Sequence, residues 1–187
     1  MNPMKLFLSV FMVLLMSLPA LAQKDEFGKI DTILAESYKI DDTNWAVNVN
    51  IYNDEEILAI SLPLKLDAGK TKVFADSTVF KGGRADHFRV KNARPDTMTQ
   101  CVTIGLINDI GVSVPPMSPG RGRVATIFVS STDGTTIDYL NVDTTTTPPG
   151  NIMQMVKPRV EEIIPAFVFR NMMGDTPAGA KEEPTEE

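Results

Sequence analysis

Residues 47–66 read VNVNIYNDEEILAISLPLKL, and apolar side chains recur at every second position through most of this stretch. Four polar residues, Asn53 to Glu56, divide it into two series. The apolar members are Val47, Val49 and Ile51 in the first series, and Leu58, Ile60, Leu62, Leu64 and Leu66 in the second. Because successive side chains of a strand point to opposite faces of a sheet, the stretch predicts two core strands joined by an acidic turn.

The two-residue period continues along most of the chain, and no window keeps the spacing of an amphipathic helix for more than two turns. Turn-forming residues such as Gly82-Gly83 and Asp133-Gly134 separate the apolar segments. The predicted strands are Ile30–Ala35, Trp45–Tyr52, Ile57–Leu66, Lys72–Phe80, His87–Asn92, Thr99–Ile107, Gly122–Ser130, Thr136–Val142 and a last one near Ala166–Arg170. Short strands at this spacing, without helices between them, predict an all-β antiparallel sandwich or barrel.

The phase of the alternation assigns side chains to the core. Trp45 shares its phase with the apolar residues of the first series, which predicts that it is buried. Val102, Ile104 and Leu106 share one phase in a later strand and should also face inward. In Arg123–Val129 both phases are apolar, which predicts a central strand or one that a loop covers on its second side.

The two ends of the chain differ from its middle. Residues 1–22 combine Lys5, an apolar run from Leu6 to Leu18 and small residues at Ala20 and Ala22, which together predict a signal peptide. The apolar run is shorter than the roughly 20 residues that span a bilayer, so we expect no membrane span after cleavage. Residues 23–173 are the predicted domain, and residues 174–187 a disordered acidic tail. The protein is therefore predicted to be secreted, either extracellular or periplasmic.

The segment before the tail consists of a polar connection followed by an apolar stretch. Thr144–Thr147 and the following Pro-Pro-Gly form a polar connection that should pack poorly. The next twenty or so residues, roughly from Asn151 on, are too apolar to be left in water, so we expect them to return to the sheet as one short strand. Pro158 and Pro165 exclude a long helix, although a short docking helix over Val160–Ile164 is an alternative.

Charge and residue supply exclude several classes of function. The chain has 24 acidic against 18 basic residues and no basic cluster, so we predict no nucleic acid partner. Cys101 is the only cysteine, which excludes an internal disulfide bond and predicts a buried, unreactive thiol. One cysteine and one histidine cannot build a site for a soft metal ion.

The sequence carries no catalytic signature. The single histidine, His87, lies at the start of a predicted strand, and the chain has no G-x-S-x-G motif. We therefore predict no enzyme, no catalytic residue and no cofactor. A structural calcium ion stays an alternative because calcium takes six to eight oxygen ligands from loops. The oxygen-bearing turn residues are Asp41, Asp42, Asn53, Asp54, Glu55, Glu56, Asp109 and Asp133.

The order of three motifs resembles the cohesin-like domains of bacterial secreted proteins. These are V-x-V-x-I-Y-N at Val47–Asn53, L-P-L-K-L-D at Leu62–Asp67, and a glycine-led R-V-A-T-I-F-V at Arg123–Val129. Gly82-Gly83-Arg84 also matches a G-x-R that follows the fourth strand in divergent members. The resemblance extends over Ile30–Phe169 and implies a jelly-roll sandwich of about nine strands, related to the carbohydrate-binding module fold.

The chain also departs from this pattern. It has Leu66 where the family often has a tyrosine before the aspartate. Cohesins of cellulosomes bind dockerins, which carry paired calcium loops, within large multidomain scaffolds. This sequence contains no such loop motif and no neighbouring module. The resemblance thus implies the fold more directly than it implies the partner.

Two kinds of partner follow from this interpretation. The first is a protein, either dockerin-like or a surface protein, which would make the chain a non-catalytic module of cell-surface assembly. A possible docking face is the row out of phase with the core leucines: Ala59, Ser61, Pro63 and Lys65. Pro63 cannot donate a ladder hydrogen bond, which predicts a sheet edge or a bulge there.

The second kind of partner is a polysaccharide, which sandwiches bind through exposed aromatic rings. Trp45 has a core phase, so the tyrosines are the aromatic residues left for such a surface: Tyr38, Tyr52 and Tyr139. They form no stripe along the sequence. A small secreted hydrolase is a third and more distant alternative.

Overall fold

The computed structural model describes residues 31–108 and 114–172, and within these ranges the chain forms eleven strands and no helix. The predicted signal peptide, residues 1–22, and the predicted tail, residues 174–187, lie outside the described residues. The strands are β1 Thr32–Lys39, β2 Asn44–Asn53, β3 Ala59–Asp67, β4 Val73–Val79, β5 Val90–Asp96, β6 Cys101–Ile107, β7 Gly120–Ser131, β8 Asn141–Thr144, β9 Gln154–Lys157, β10 Glu161–Ile163 and β11 Ala166–Asn171.

The strands form two sheets. The first sheet has the order β11-β1-β2-β7-β4, and the second has the order β10-β9-β3-β6-β5, with β8 also paired to β3. Every strand pair is antiparallel except β1 with β11, which run parallel. The predicted antiparallel sandwich is confirmed, with eleven strands in place of about nine.

The core lies between the sheets, and the predicted phases are confirmed. Trp45 on β2, Leu62 on β3 and Ile104 on β6 are each fully buried. The other apolar residues with the same phase on these strands are at most 2% exposed: Val47, Val49, Ile51, Ile60, Leu64, Leu66, Val102 and Leu106. Each such side chain contributes about 1.5–3 kcal/mol to the free energy of unfolding. The alternation in residues 47–66 therefore does belong to core strands.

A β-bulge explains why β7 is apolar in both phases. Val49 pairs with Ala125 and the next residue, Asn50, pairs with Arg123, so Val124 has no partner on β2. The extra residue moves the core-facing positions of β7 from one phase to the other. Since β7 lies between β2 and β4, the prediction of an interior strand is confirmed.

The prediction that Pro63 marks a sheet edge is wrong. Its strand, β3, is interior: it pairs with β6 on one side, and with β9 and then β8 on the other. The pairing with β9 ends at Ser61 and the pairing with β8 begins at Leu64. Pro63 lies in the gap between these two partners, where β3 needs no N–H donor at this residue.

Most of the other differences between predicted and observed secondary structure lie in the C-terminal third of the chain. The alternative helix over Val160–Ile164 is wrong, because β9 and β10 form an antiparallel hairpin there. The strand predicted at Thr136–Val142 is observed at Asn141–Thr144, so Ile137 is buried from irregular backbone. Arg94-Pro95-Asp96 form the end of β5, an edge strand that tolerates a proline.

Candidate functional site

The outer face of the second sheet carries a row of apolar side chains that crosses four strands. Val156 on β9 pairs with Ala59 on β3, Ala59 pairs with Ile107 on β6, and Ile107 pairs with Val90 on β5. We call these four residues the apolar row. Val90 is 48% exposed and Ile107 is 37% exposed, although both are large and apolar. Contiguous apolar surface of this kind marks interaction sites on soluble proteins.

A shallow depression lies beside the apolar row. In the next row of the same face, Gly105 lies between Ser61 and Asn92. A Cβ atom placed on Gly105 would meet no other atom within 4 Å, so the space above it is open. The missing side chain lowers the middle of the face and gives a protruding partner group a place to enter.

The far end of this face is occupied by the chain itself. The N–H of Thr145 donates a hydrogen bond of 3.2 Å to the Pro63 carbonyl, and the Asn151 amide donates one of 3.0 Å to the Thr103 hydroxyl. The Lys65 ammonium donates to the Thr99 carbonyl. These contacts hold the connection after β8 and the β5–β6 turn against the sheet.

The four predicted docking residues therefore differ in whether they border the open part of the face. Ala59 and Ser61 are half-buried and border the open part of the face. Pro63 is buried, so the prediction that it lies exposed is wrong, and Lys65 is half-buried. Sequence reasoning missed Val90, Ile107 and Val156. A signal existed for Ile107, because it has the outward phase of β6 directly after the buried Leu106.

Arg84 fixes one end of the sandwich. Its guanidinium donates 2.7 Å to Asn53 Oδ1, 2.8 Å to the Gly120 carbonyl and 2.5 Å to the Ser118 carbonyl. Asn53 is fully buried, and its own amide donates 3.1 Å to the same Ser118 carbonyl. Partial burial lowers the pKa of Arg84, but a guanidinium stays charged. Arg84 thus joins the C-terminal end of β2 to the start of β7.

The Gly-Gly pair before Arg84 has a steric reason. Gly82 has a φ of 71°, which an L side chain rarely adopts. A Cβ on Gly83 would come within 2.8 Å of the Val124 carbonyl oxygen. The G-G-R motif is therefore explained by local packing and by the hydrogen bonds of Arg84.

His87 is placed as a surface residue. Its ring is exposed, its Nε2 lies 3.2 Å from the Pro115 carbonyl oxygen, and it packs edge-on against Phe88. Cys101 is buried, as predicted, and its thiol donates to the Thr99 carbonyl. Neither group lies in an arrangement of nucleophile and base.

Acidic side chains in two of the turns accept hydrogen bonds from residues of the same turn. Asp41 accepts from the Asn44 amide and from the Thr43 N–H, and these bonds lower the pKa of Asp41. Asp133 accepts from the hydroxyl and N–H of Thr135, which lowers its pKa in the same way. In residues 31–108 and 114–172 there is no group of three or more His, Cys, Asp or Glu side chains that could hold a metal ion. Asp109 lies outside these ranges.

The three tyrosines lie in different surroundings. Tyr38 is buried, Tyr52 is half-buried on the outer face of the first sheet, and Tyr139 lies over Gly69, where a Cβ would come within 2.5 Å of the tyrosine oxygen. They form no aromatic surface together. Among the described residues, we find no helix with the length and apolar character that a membrane span requires.

Several solved structures share this architecture. No protein family profile and no curated protein matches the chain. A structure of the OlpA type I cohesin–dockerin complex from Clostridium thermocellum superposes with a TM-score of 0.58 at 11% identity, covering 77% of this chain and 99% of that one. The fold is that of a cohesin domain.

Two further cohesin structures have a similar fold. The OlpC type I cohesin–dockerin complex of Clostridium thermocellum gives a TM-score of 0.57 at 13% identity, over 76% of this chain and 95% of that one. The seventh ScaB type I cohesin of Pseudobacteroides cellulosolvens gives 0.55 at 10% identity, over 82% and 98%. The cohesin resemblance expected from the motifs is confirmed for the fold.

Proposed function

We propose that this cohesin-like domain is a secreted, non-catalytic module that binds a protein partner through the outer face of its second sheet. The observation that supports this proposal is the apolar row, which leaves Val90 and Ile107 exposed side by side. Interface cores are depleted of charge and enriched in such side chains. The proposed site comprises the apolar row together with Ser61 and Gly105.

The fold supports a protein partner. The two Clostridium thermocellum neighbours are cohesins in complex with dockerins. A dockerin-like module, or another surface protein with a protruding apolar group, suits the apolar row and the depression at Gly105. At the centre of the proposed site β3 and β6 are interior strands, so there the partner would be recognised by side chains and not by strand addition.

Gly105→Arg tests the proposed docking face. The space above Gly105 is open and its φ is not positive, so the substitution should leave the fold intact. The large side chain would fill the depression and place a charge beside the apolar row. We expect the loss of at least about tenfold in affinity for a bound partner, equal to about 1.4 kcal/mol.

The matched control is Ser77→Arg, which introduces the same side chain at an exposed position on the edge strand β4. Immobilised wild-type and variant domains would be exposed to the secreted proteins of the source organism and to purified dockerins, with quantification by mass spectrometry. The proposal expects proteins retained by wild type and Ser77→Arg but not by Gly105→Arg. Retention that is the same for all three domains, or no retained protein, would refute it.

A further inference from the structure

The outer face of the first sheet, on the opposite side of the sandwich, contains a hollow that the proposed docking does not use. Its volume is about 600 Å³. The side chains that line it include Glu36 from β1, Asn50 and Tyr52 from β2, Arg121 from β7 and Arg170 from β11. We call this hollow the arginine groove. Small-molecule sites typically have volumes of about 300–1,000 Å³ and a few convergent polar groups.

The bulge at Val124 is what brings β7 arginines to this face. Beyond the bulge, Arg123 pairs with Asn50 and Arg121 pairs with Tyr52. Asn50 and Tyr52 have the outward phase of β2, so both arginines lie on the outer face as well. Without the extra residue, the alternation from Ala125 would turn these positions toward the core. Bulges often re-aim side chains next to functional sites.

The groove is positively charged within an acidic protein. Among the described residues that line the groove or lie next to it, three are arginines, Arg121, Arg123 and Arg170, and one is a carboxylate, Glu36, whereas the full chain has a formal net charge of −6. Glu36 is engaged, because the Asn50 amide donates 2.9 Å to it and its partner across the β1–β11 pair is Arg170. Charge complementarity therefore favours an anionic ligand.

Some polar groups at the groove are hydrogen-bonded within the protein, and others are not. Arg123 donates 3.2 Å to the Thr126 hydroxyl and 3.2 Å to the Lys81 carbonyl. In the part of the chain that the structure describes, the Arg121 guanidinium and the Tyr52 hydroxyl have no hydrogen-bond partner. Arg121 thus presents a planar fork of N–H donors to a ligand, the geometry that suits a carboxylate.

We propose that the arginine groove binds a carboxylate-bearing saccharide, such as an oligomer of uronic acid. The Arg121 guanidinium pairs with the sugar carboxylate, the half-buried Tyr52 ring offers an apolar surface to the pyranose, and Asn50 and Glu36 meet sugar hydroxyl groups. A peptide fits this groove less well. Of the strands that line it, β1, β2 and β7 are interior, so only the edge strand β11 could offer a main-chain ladder to an extended chain.

The test measures binding of three small probes to the purified domain by calorimetry at constant, low ionic strength. The probes are a trisaccharide of galacturonic acid, the neutral trisaccharide maltotriose, and a triglutamate peptide. We expect the uronate to bind at least about tenfold more tightly than either of the other two. Equal binding of triglutamate would overturn the saccharide assignment, and no binding of the uronate would overturn the site.

Two arginine variants locate the binding. Arg121→Ala should weaken uronate binding about tenfold or more, because the unpaired guanidinium is lost. Arg94→Ala is the matched control: it removes the same charge from an exposed arginine on the other sheet and should leave uronate binding unchanged. An equal loss in both variants would show non-specific charge attraction and overturn the proposal.

This inference is independent of the proposed docking function. Gly105→Arg should leave uronate binding unchanged, and Arg121→Ala should leave retention of protein partners unchanged, since the two residues lie on opposite outer faces. The failure of either proposal is thus visible without reference to the other.

Discussion

The two outer faces of the sandwich differ although the two inner faces are alike. On the first sheet, outward side chains bond to one another: the Asn50 amide to Glu36, the Thr126 hydroxyl to Asn48, and Arg123 to Thr126. On the second sheet, the open part of the outer face has the apolar row and Gly105 instead. The core fixes which side chains point inward, and leaves the chemistry of each outer face free to diverge.

Each face owes its character to one local feature of the backbone. On the first sheet it is the extra residue Val124, which turns Arg121 outward. On the second sheet it is Gly105, whose missing side chain opens the face. Substitutions that act on one sheet only can therefore test whether the two faces are independent.

Arg84→Ala should have the largest effect. It leaves the buried Asn53 Oδ1 and the Gly120 carbonyl without their charged donor, so we expect a loss of about 3 kcal/mol in the free energy of unfolding. For a domain of this size that lowers the melting temperature by roughly 6–12 °C. Circular dichroism during heating measures the change.

Because the acceptors of Arg84 lie at the ends of β2 and β7, hydrogen exchange should increase there and not along β3 and β6. Arg94→Ala, at an exposed position, should stay within about 0.5 kcal/mol of wild type. Loosening of both sheets in Arg84→Ala would show that the faces are coupled, which contradicts the comparison.

A pair of threonine substitutions compares the faces directly. Thr126→Val removes the donor to Asn48 Oδ1 at 2.7 Å and the acceptor of Arg123 at a position that is 7% exposed. We expect a loss of about 1–2 kcal/mol, because the half-buried Asn48 Oδ1 loses its donor at a buried position. The difference is measured from urea unfolding curves with unchanged slope.

Thr103→Val is the matched substitution on the second sheet. Among the described residues, Asn151 is the one side chain that donates to the half-buried Thr103 hydroxyl, and the Asn151 amide lies in a connection near water. The expected loss is less than about 0.5 kcal/mol, because the amide can bond to solvent instead and valine suits a strand. Equal losses for the two threonines would remove the distinction between a networked face and an open one.

The core was predictable because it depends on a local rule. A period of two fixes the inward side of β2, β3 and β6, and the buried Trp45, Leu62 and Ile104 follow from it. The period of two does not determine which strands lie next to each other, because strand pairing depends on distant parts of the chain. Pro63 looked like an edge residue, yet it occupies a gap between β8 and β9 that only the assembled sheet reveals.

The candidate sites were less predictable for the same reason. Ala59 and Ser61 were found from their phase on one strand, but the apolar row needs the register of four strands. The arginine groove depends on a bulge, which appears in the sequence only as a stretch that is apolar in both phases. That signal predicted burial on both sides, and the structure shows a change of phase.

Of the changes considered, a fall in pH should have the smallest effect on the free energy of unfolding, and it should act on groups beside both sheets. Hydrogen bonds from Thr135 lower the pKa of Asp133 beside the first sheet, and those from Thr99 lower the pKa of Asp96 at the end of β5, both from an ordinary value of 3.8. A lowered folded-state pKa means that the unfolded chain binds the proton more readily. The stabilisation is present above the unfolded pKa and is lost as the pH falls through the folded pKa.

We therefore expect an unfolding midpoint in urea that is nearly constant above about pH 5 and decreases below about pH 4. Asp133→Asn and Asp96→Asn should each reduce the steepness of that decrease, and their effects should add, because the turns share no partner. Non-additive effects would mean that acid opens the two sheets together, which would limit the independence of the two outer faces to neutral pH.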